Sequence, residues 1–162
     1  MADEETQAAA LAREWREIRG VILGLAEQMP ETRLGRATER VGWTVRHELA
    51  HLAVLDRDIA HVLERAAAGA ADAVDDAREA VALRRMRGQA MFAAQELRLS
   101  ALRQHLADAG ERAAAAIEAQ ATLLGRPVRV AGQEATTVAG HLDHALARAR
   151  EGVAVLREAL RP

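Results

Sequence analysis

Residues 42–65 read GWTVRHELAHLAVLDRDIAHVLER. Leu49, Leu52, Leu55, Ile59 and Leu63 recur there at spacings of three and four. That period places them on one face of an amphipathic α-helix. Thr44 stands just ahead of the run and is the expected N-cap, because its hydroxyl can accept an otherwise orphaned N–H of the first turn. The helix is predicted to run to about Ala68, with Gly69 as its stop signal.

The same period appears in three other places. Leu11, Trp15, Ile18, Ile22 and Leu25 predict a first helix over about Thr6–Met29, ended by Pro30. Leu102, Leu106, Ala109, Ala113 and Ile117 predict a third long helix to about Ala121, with Ser100 as N-cap. Val138, Leu142, Ala145, Ala149, Val153, Leu156 and Leu160 predict a last helix that starts at Thr136 or Thr137. Residues 75–96 also carry helix-forming composition, with Gly88 as an expected interruption. Gly125, Pro127 and Gly132 mark a loop. No run alternates with period two, so no sheet is expected. The fold expected for residues 1–162 is all-α, a single domain built as a four-helix bundle.

Composition narrows the function. The 162 residues include no Cys, which removes disulfides, thiolate metal sites and a protein thiol nucleophile. All 22 basic residues are Arg, and the net charge is -2. That balance, with scarce aromatics, argues against a nucleic-acid partner. No apolar stretch reaches membrane-span length, and the first residues lack a signal peptide's basic start and apolar run. A soluble, cytoplasmic protein with no membrane partner is expected.

The chemistry-bearing residues are six histidines: His47, His51, His61, His105, His141 and His144. On a helix His47 and His51 lie about 40° apart, and His141 and His144 about 60° apart. Neutral imidazole suits zinc, nickel or iron. HELAH at residues 47–51 also fits the His-Glu-x-x-His pattern, in which His47 and His51 bind zinc and Glu48 is the general base. The continuation LAVLDR lacks the Gly and third His of the extended protease motif. The chain also offers no sheet edge for a peptide. A zinc metalloprotease is therefore the third reading. Glu48 is expected not to be a base and His47 not to be a ligand. His61 and His105 read as ordinary surface or boundary residues. Trp43 reads as a packing anchor, Met86 and Met91 as core filler, and Asp56 and Asp58 as solvated or paired with Arg.

GWTVRHELAHLAVLDR closely resembles the second-helix signature of the DinB-like superfamily: Gly-Trp-Thr/Ser-Val, then His-Leu-Ala. Residues 99–119 and 136–160 resemble its later helices. The superfamily includes mycothiol-dependent maleylpyruvate isomerases and thiol S-transferases. The resemblance implies a divalent metal (zinc, nickel or iron), a low-molecular-weight thiol such as mycothiol, and a small electrophilic substrate. His51 matches the ligand of the second helix. Of two ligands four apart on the last helix, His144 matches the first, while the second falls on Arg148. A guanidinium stays protonated and cannot coordinate. Either His141, about 20° from Arg148 around the helix, completes a His51, His141, His144 set, or the metal is lost and Arg148 binds an anionic group. The leading expectation is a metal- and thiol-dependent transferase or isomerase in which Arg148 steers a substrate carboxylate. The alternative is a metal-free descendant that binds a small molecule or forms a homodimer through an exposed helix face.

Overall fold

The computed structural model describes residues 2–68, 76–129 and 136–162. Among these are five α-helices: α1 (Ala2–Gln28), α2 (Val45–Ala67), α3 (Asp76–Glu96), α4 (Leu99–Ala119) and α5 (Val138–Leu160). Four of them close a ring. α1 packs against α4 and α5, and α2 packs against the same two. α3 lies outside the ring along α2. The all-α expectation holds, with a fifth helix beside the four that share the core.

The stripes read from the sequence point inward. Leu49, Leu52, Leu55, Ile59 and Leu63 of α2 are buried, as are Leu102, Leu106 and Ile117 of α4 and Leu142, Ala149 and Leu156 of α5. On α1, Trp15 and Ile22 are buried while Ile18 and Leu25 are only partly covered. The α1 stripe is completed by Ala8, Ala12 and Ala26, small side chains that let the neighbouring helices approach.

Four expectations change. α3 runs unbroken through Gly88, since a glycine inside a helix costs only about 1 kcal/mol. α4 starts one residue before Ser100: buried Leu99 is its first residue and Arg98 its N-cap. The connection before α5 holds a two-residue antiparallel pair, β1 (Pro127–Val128) with β2 (Thr136–Thr137), too short for periodicity to reveal. Met86 and Met91 pack against the core but are only partly buried. Thr137 is the N-cap of α5, its hydroxyl accepting the Gly140 N–H at 3.1 Å. Gly69 and Gly132 lie outside the described residues.

The arginines have a structural use that composition did not suggest. Helix C-termini leave carbonyls without intrahelical partners. Here distant guanidinium groups donate to them. Arg103 reaches Ala26 O of α1 at 2.9 Å, Arg126 reaches Ala66 O of α2 at 3.3 Å, and Arg46 reaches Gln95 O of α3 at 3.0 Å. Arg33 reaches Ala159 O of α5 at 2.9 Å.

Glycines divide by surroundings. A Cβ on Gly152 of α5 would lie 2.8 Å from Leu52 Cδ2 and 3.0 Å from Glu48 Oε1, whereas one on Gly20 of α1 meets nothing within 4 Å. Both are helical, so alanine gains about 1 kcal/mol of propensity at each. At Gly152 the overpacking penalty of about 1–3 kcal/mol exceeds that gain. Gly20→Ala is expected to raise the urea midpoint and Gly152→Ala to lower it. Shifts of the same sign would show that α2 and α5 are not in this close contact.

Candidate functional site

The face between α2 and α5 gathers the polar side chains that the hydrophobic core does not explain. Gly152 abuts Glu48 and Leu52, while His141 feels the charges of Asp58 and His61. The two helices therefore run in opposite directions. The entrance to α2 is set by the preceding loop. Gly42 has φ +77°, a left-handed conformation suited to glycine. Trp43 N–H donates to Arg40 O at 2.9 Å, and Val45 N–H to Arg36 O at 3.0 Å. This turn lays Trp43 across the first turns of α2 and brings Arg40 over its ring, 5.1 Å from the centroid.

His47 serves the helix start. Its Nδ1 accepts the Thr44 N–H at 3.2 Å and lies 2.7 Å from the Thr44 hydroxyl. That nitrogen serves the helix cap.

Glu48 is fully buried. Neither carboxylate oxygen has a hydrogen-bond partner, and the Arg40 guanidinium stands 3.6 Å from Oε2. Burial pushes its pKa up, Arg40 and Arg148 oppose this, and Glu151 adds to it. Arg40 also pairs with Glu151 at 3.5 Å, and Arg148 pairs with Glu151 at 3.2 Å. Arg40, Glu48, Glu151 and Arg148 thus form a charge network at one level of the α2–α5 face.

His51 sits one turn further along α2. Its ring meets Trp43 edge-on at 5.4 Å, and its Nε2 is buried without a hydrogen-bond partner. Its pKa is pushed down to about 4, first by burial, then by Arg40, Arg148, Arg87 and Arg19. The imidazole is neutral at pH 7. The folded pKa lies below the unfolded value near 6.5, so the stability that His51 confers is present above about pH 6.5 and is lost as pH falls toward 4. His51→Gln is expected to flatten the fall in urea midpoint between those limits. An unchanged slope would mean that the ring charges freely within the fold.

His141 and His144 lie on α5 nearer its start. His141 is buried and His144 exposed. Burial pushes the His141 pKa down, Asp58 opposes, and His144, Arg87 and His61 add to the fall. Asp58 is held by α3, accepting from Arg87 Nε at 3.1 Å. His141 therefore belongs to the Asp58 level, seven residues or roughly 10 Å along α2 from His51. Among the described residues no group of three or more His, Asp or Glu side chains is arranged to hold a metal ion. The positive charges of Arg40, Arg148, Arg87 and Arg19 around His51 oppose a further cation there, and the Arg148 guanidinium has no lone pair to coordinate one.

Arg40, Glu151 and Gly152 went unrecognised in the sequence. Arg40 lies in a loop without periodicity, and Gly152 reads as one more small residue on an apolar stripe. Only the facing of α2 against α5 joins them to His51 and Arg148.

Among the described residues no helix is long and apolar enough to cross a membrane. A family model described as the mycothiol maleylpyruvate isomerase N-terminal domain matches residues 11–154. A solved structure, the crystal structure of the mycothiol-dependent maleylpyruvate isomerase, matches with a TM-score of 0.71 at 16% identity, over 94% of this chain and 60% of that one. The likeness shows a shared fold, and this chain spans about three fifths of that protein's length. No curated protein matches the sequence.

Proposed function

Because the chain belongs to the family of mycothiol maleylpyruvate isomerase N-terminal domains, we propose that it is a thiol-dependent isomerase or transferase module for small anionic electrophiles, working at the α2–α5 face in the cytoplasm without a resident metal. The observation that carries this reading is His51: a neutral imidazole with an unpartnered Nε2, held by Trp43 and flanked by Arg40 and Arg148.

The chain has no Cys, so the nucleophilic sulfur must arrive with a cosubstrate. The positive potential of Arg40 and Arg148 that disfavours imidazolium favours a thiolate over a thiol. With a pKa near 4, His51 is a hydrogen-bond partner for the sulfur rather than a store for its proton, which leaves to water. Arg148 holds a substrate carboxylate by charge-assisted hydrogen bonds. Addition of the thiolate to an electrophilic C=C forms a C–S bond and moves the π electrons onto the adjoining carbonyl. Rotation about the resulting single bond and expulsion of the thiolate give the isomer.

A second reading keeps a divalent metal on His51, His141 and His144, and the free Nε2 of neutral His51 is the feature in its favour. Titration of chelator-dialysed protein with mycothiol, followed by thiolate absorbance at neutral pH, separates the two. A thiolate signal without metal, reduced in Arg40→Gln and Arg148→Gln, supports the arginine site. A signal only after added zinc, lost in His51→Ala, supports the metal. Failure of thiol to bind in either state leaves a non-catalytic binding module on the same bundle.

A further inference from the structure

On the far side of α2 a cavity of about 430 Å³ opens between α2, α3 and α4. Of its residues on α2, Ala53, Asp56, Arg57 and Ala60 lie about 120–180° around the helix from His51, and Val54 about 60° from it. The cavity therefore opens mainly on the side of α2 away from the α2–α5 face. Its walls are small: Ala53 and Ala60 of α2, Ala90 and Ala93 of α3, Ala109 and Ala113 of α4. Short side chains at facing positions leave a gap where larger ones would close the core.

A second observation gives the gap a polarity. Asp56, which lines it, is 4% exposed. Its Oδ1 accepts from Trp15 Nε1 at 2.9 Å and from Arg19 Nε at 3.1 Å. Its Oδ2 is buried and has no hydrogen-bond partner. Leaving a buried acceptor unpaired is costly, so a donor delivered from the cavity gains more there than at a satisfied group. The cavity is also lined by three exposed basic side chains, Arg57, His105 and Arg112. Among the described residues no ion pair engages Arg57 or Arg112.

We infer that this cavity is a binding site for a small amphiphilic carboxylate, one with a compact apolar body, a hydrogen-bond donor at its inner end for Asp56, and its carboxylate at the Arg57–Arg112 rim. The volume is within the range of small-molecule pockets, and an apolar lining with few convergent polar groups is their usual composition.

The test uses 3-(4-hydroxyphenyl)propanoate and its analogue without the hydroxyl, each titrated into the intact protein by calorimetry, with amide and methyl NMR shifts locating the site. The hydroxylated compound is expected to bind about 3- to 10-fold more tightly than the analogue, the effect of one hydrogen bond to a buried acceptor. Shifts should cluster on α2, α3 and α4 and spare His51. Arg112→Gln should weaken both ligands, and Ala60→Phe, which fills the cavity while leaving both residues of the Asp56–Arg19 pair in the chain, should abolish both. Equal affinities, indifference to Ala60→Phe, shifts centred on His51, or no binding of either compound would each overturn the proposal.

Discussion

Arg19→Ala lowers the unfolding free energy by about 3–5 kcal/mol, the cost of removing one partner from a buried ion pair. Arg19 and Asp56 are 3% and 4% exposed. The guanidinium meets the carboxylate, donates to Leu52 O at 2.6 Å and stacks over Trp15 at 4.7 Å. Gly110 makes room for its stem: a Cβ there would lie 2.9 Å from Arg19 Cγ. Burial pushes the Asp56 pKa up and the Arg19 pKa down, and each partner's charge opposes the shift of the other. Without Arg19 the carboxylate keeps only the Trp15 indole, in a site that penalises its charge. For a domain of this size the loss corresponds to a fall in Tm of roughly 10 °C. The double change Arg19→Met with Asp56→Leu should recover most of it, because it removes both charges and fills the space. A loss below about 1 kcal/mol in Arg19→Ala would put the pair in water rather than in the core.

Arg148→Ala lowers kcat/KM for an anionic substrate by about 10- to 100-fold, the range of one to two charge-assisted hydrogen bonds. The effect should fall mainly on KM, because a carboxylate is held alike in ground and transition states. Stability should change little: the side chain is 45% exposed, its ion pair with Glu151 is a surface pair, and the charge it withdraws from buried Glu48 it also withdraws from His51. Arg148→Lys keeps the charge but loses the planar fork, and recovers part of the affinity. An unaltered KM would remove Arg148 from the site.

The helices were legible in the sequence because amphipathic period is a local property. Leu49 through Leu63 need no partner to declare their face, and the same holds for Leu102 through Ile117. The start of α4 at Leu99 was less legible. Ser100 is a better cap by residue type, but burial of Leu99 places the helix start ahead of it. The site was legible only in part. His51 stood out through its Trp43–Thr44 context, and Arg148 through the resemblance, which puts a ligand where the arginine stands. Whether His141 lies beside His51 depends on how far α2 and α5 slide past one another, which no local pattern encodes. The structure places His141 with Asp58 instead. Arg40 is set by the Gly42 turn, and the arginines that cap helix ends are set by tertiary neighbours. A Lys-free composition does not distinguish those uses from a solvated surface.

The measurement that bears most directly on the proposed metal-free arginine site is an assay of chelator-dialysed protein with mycothiol and maleylpyruvate, the substrate named for the related isomerase, with and without added zinc. The expected result is a thiol-dependent rate of equal size in both conditions, strongly reduced by Arg148→Ala and unaffected by His141→Gln. A rate seen only with zinc, and lost in His51→Ala, His141→Ala and His144→Ala alike, would contradict it and assign the three histidines to a metal.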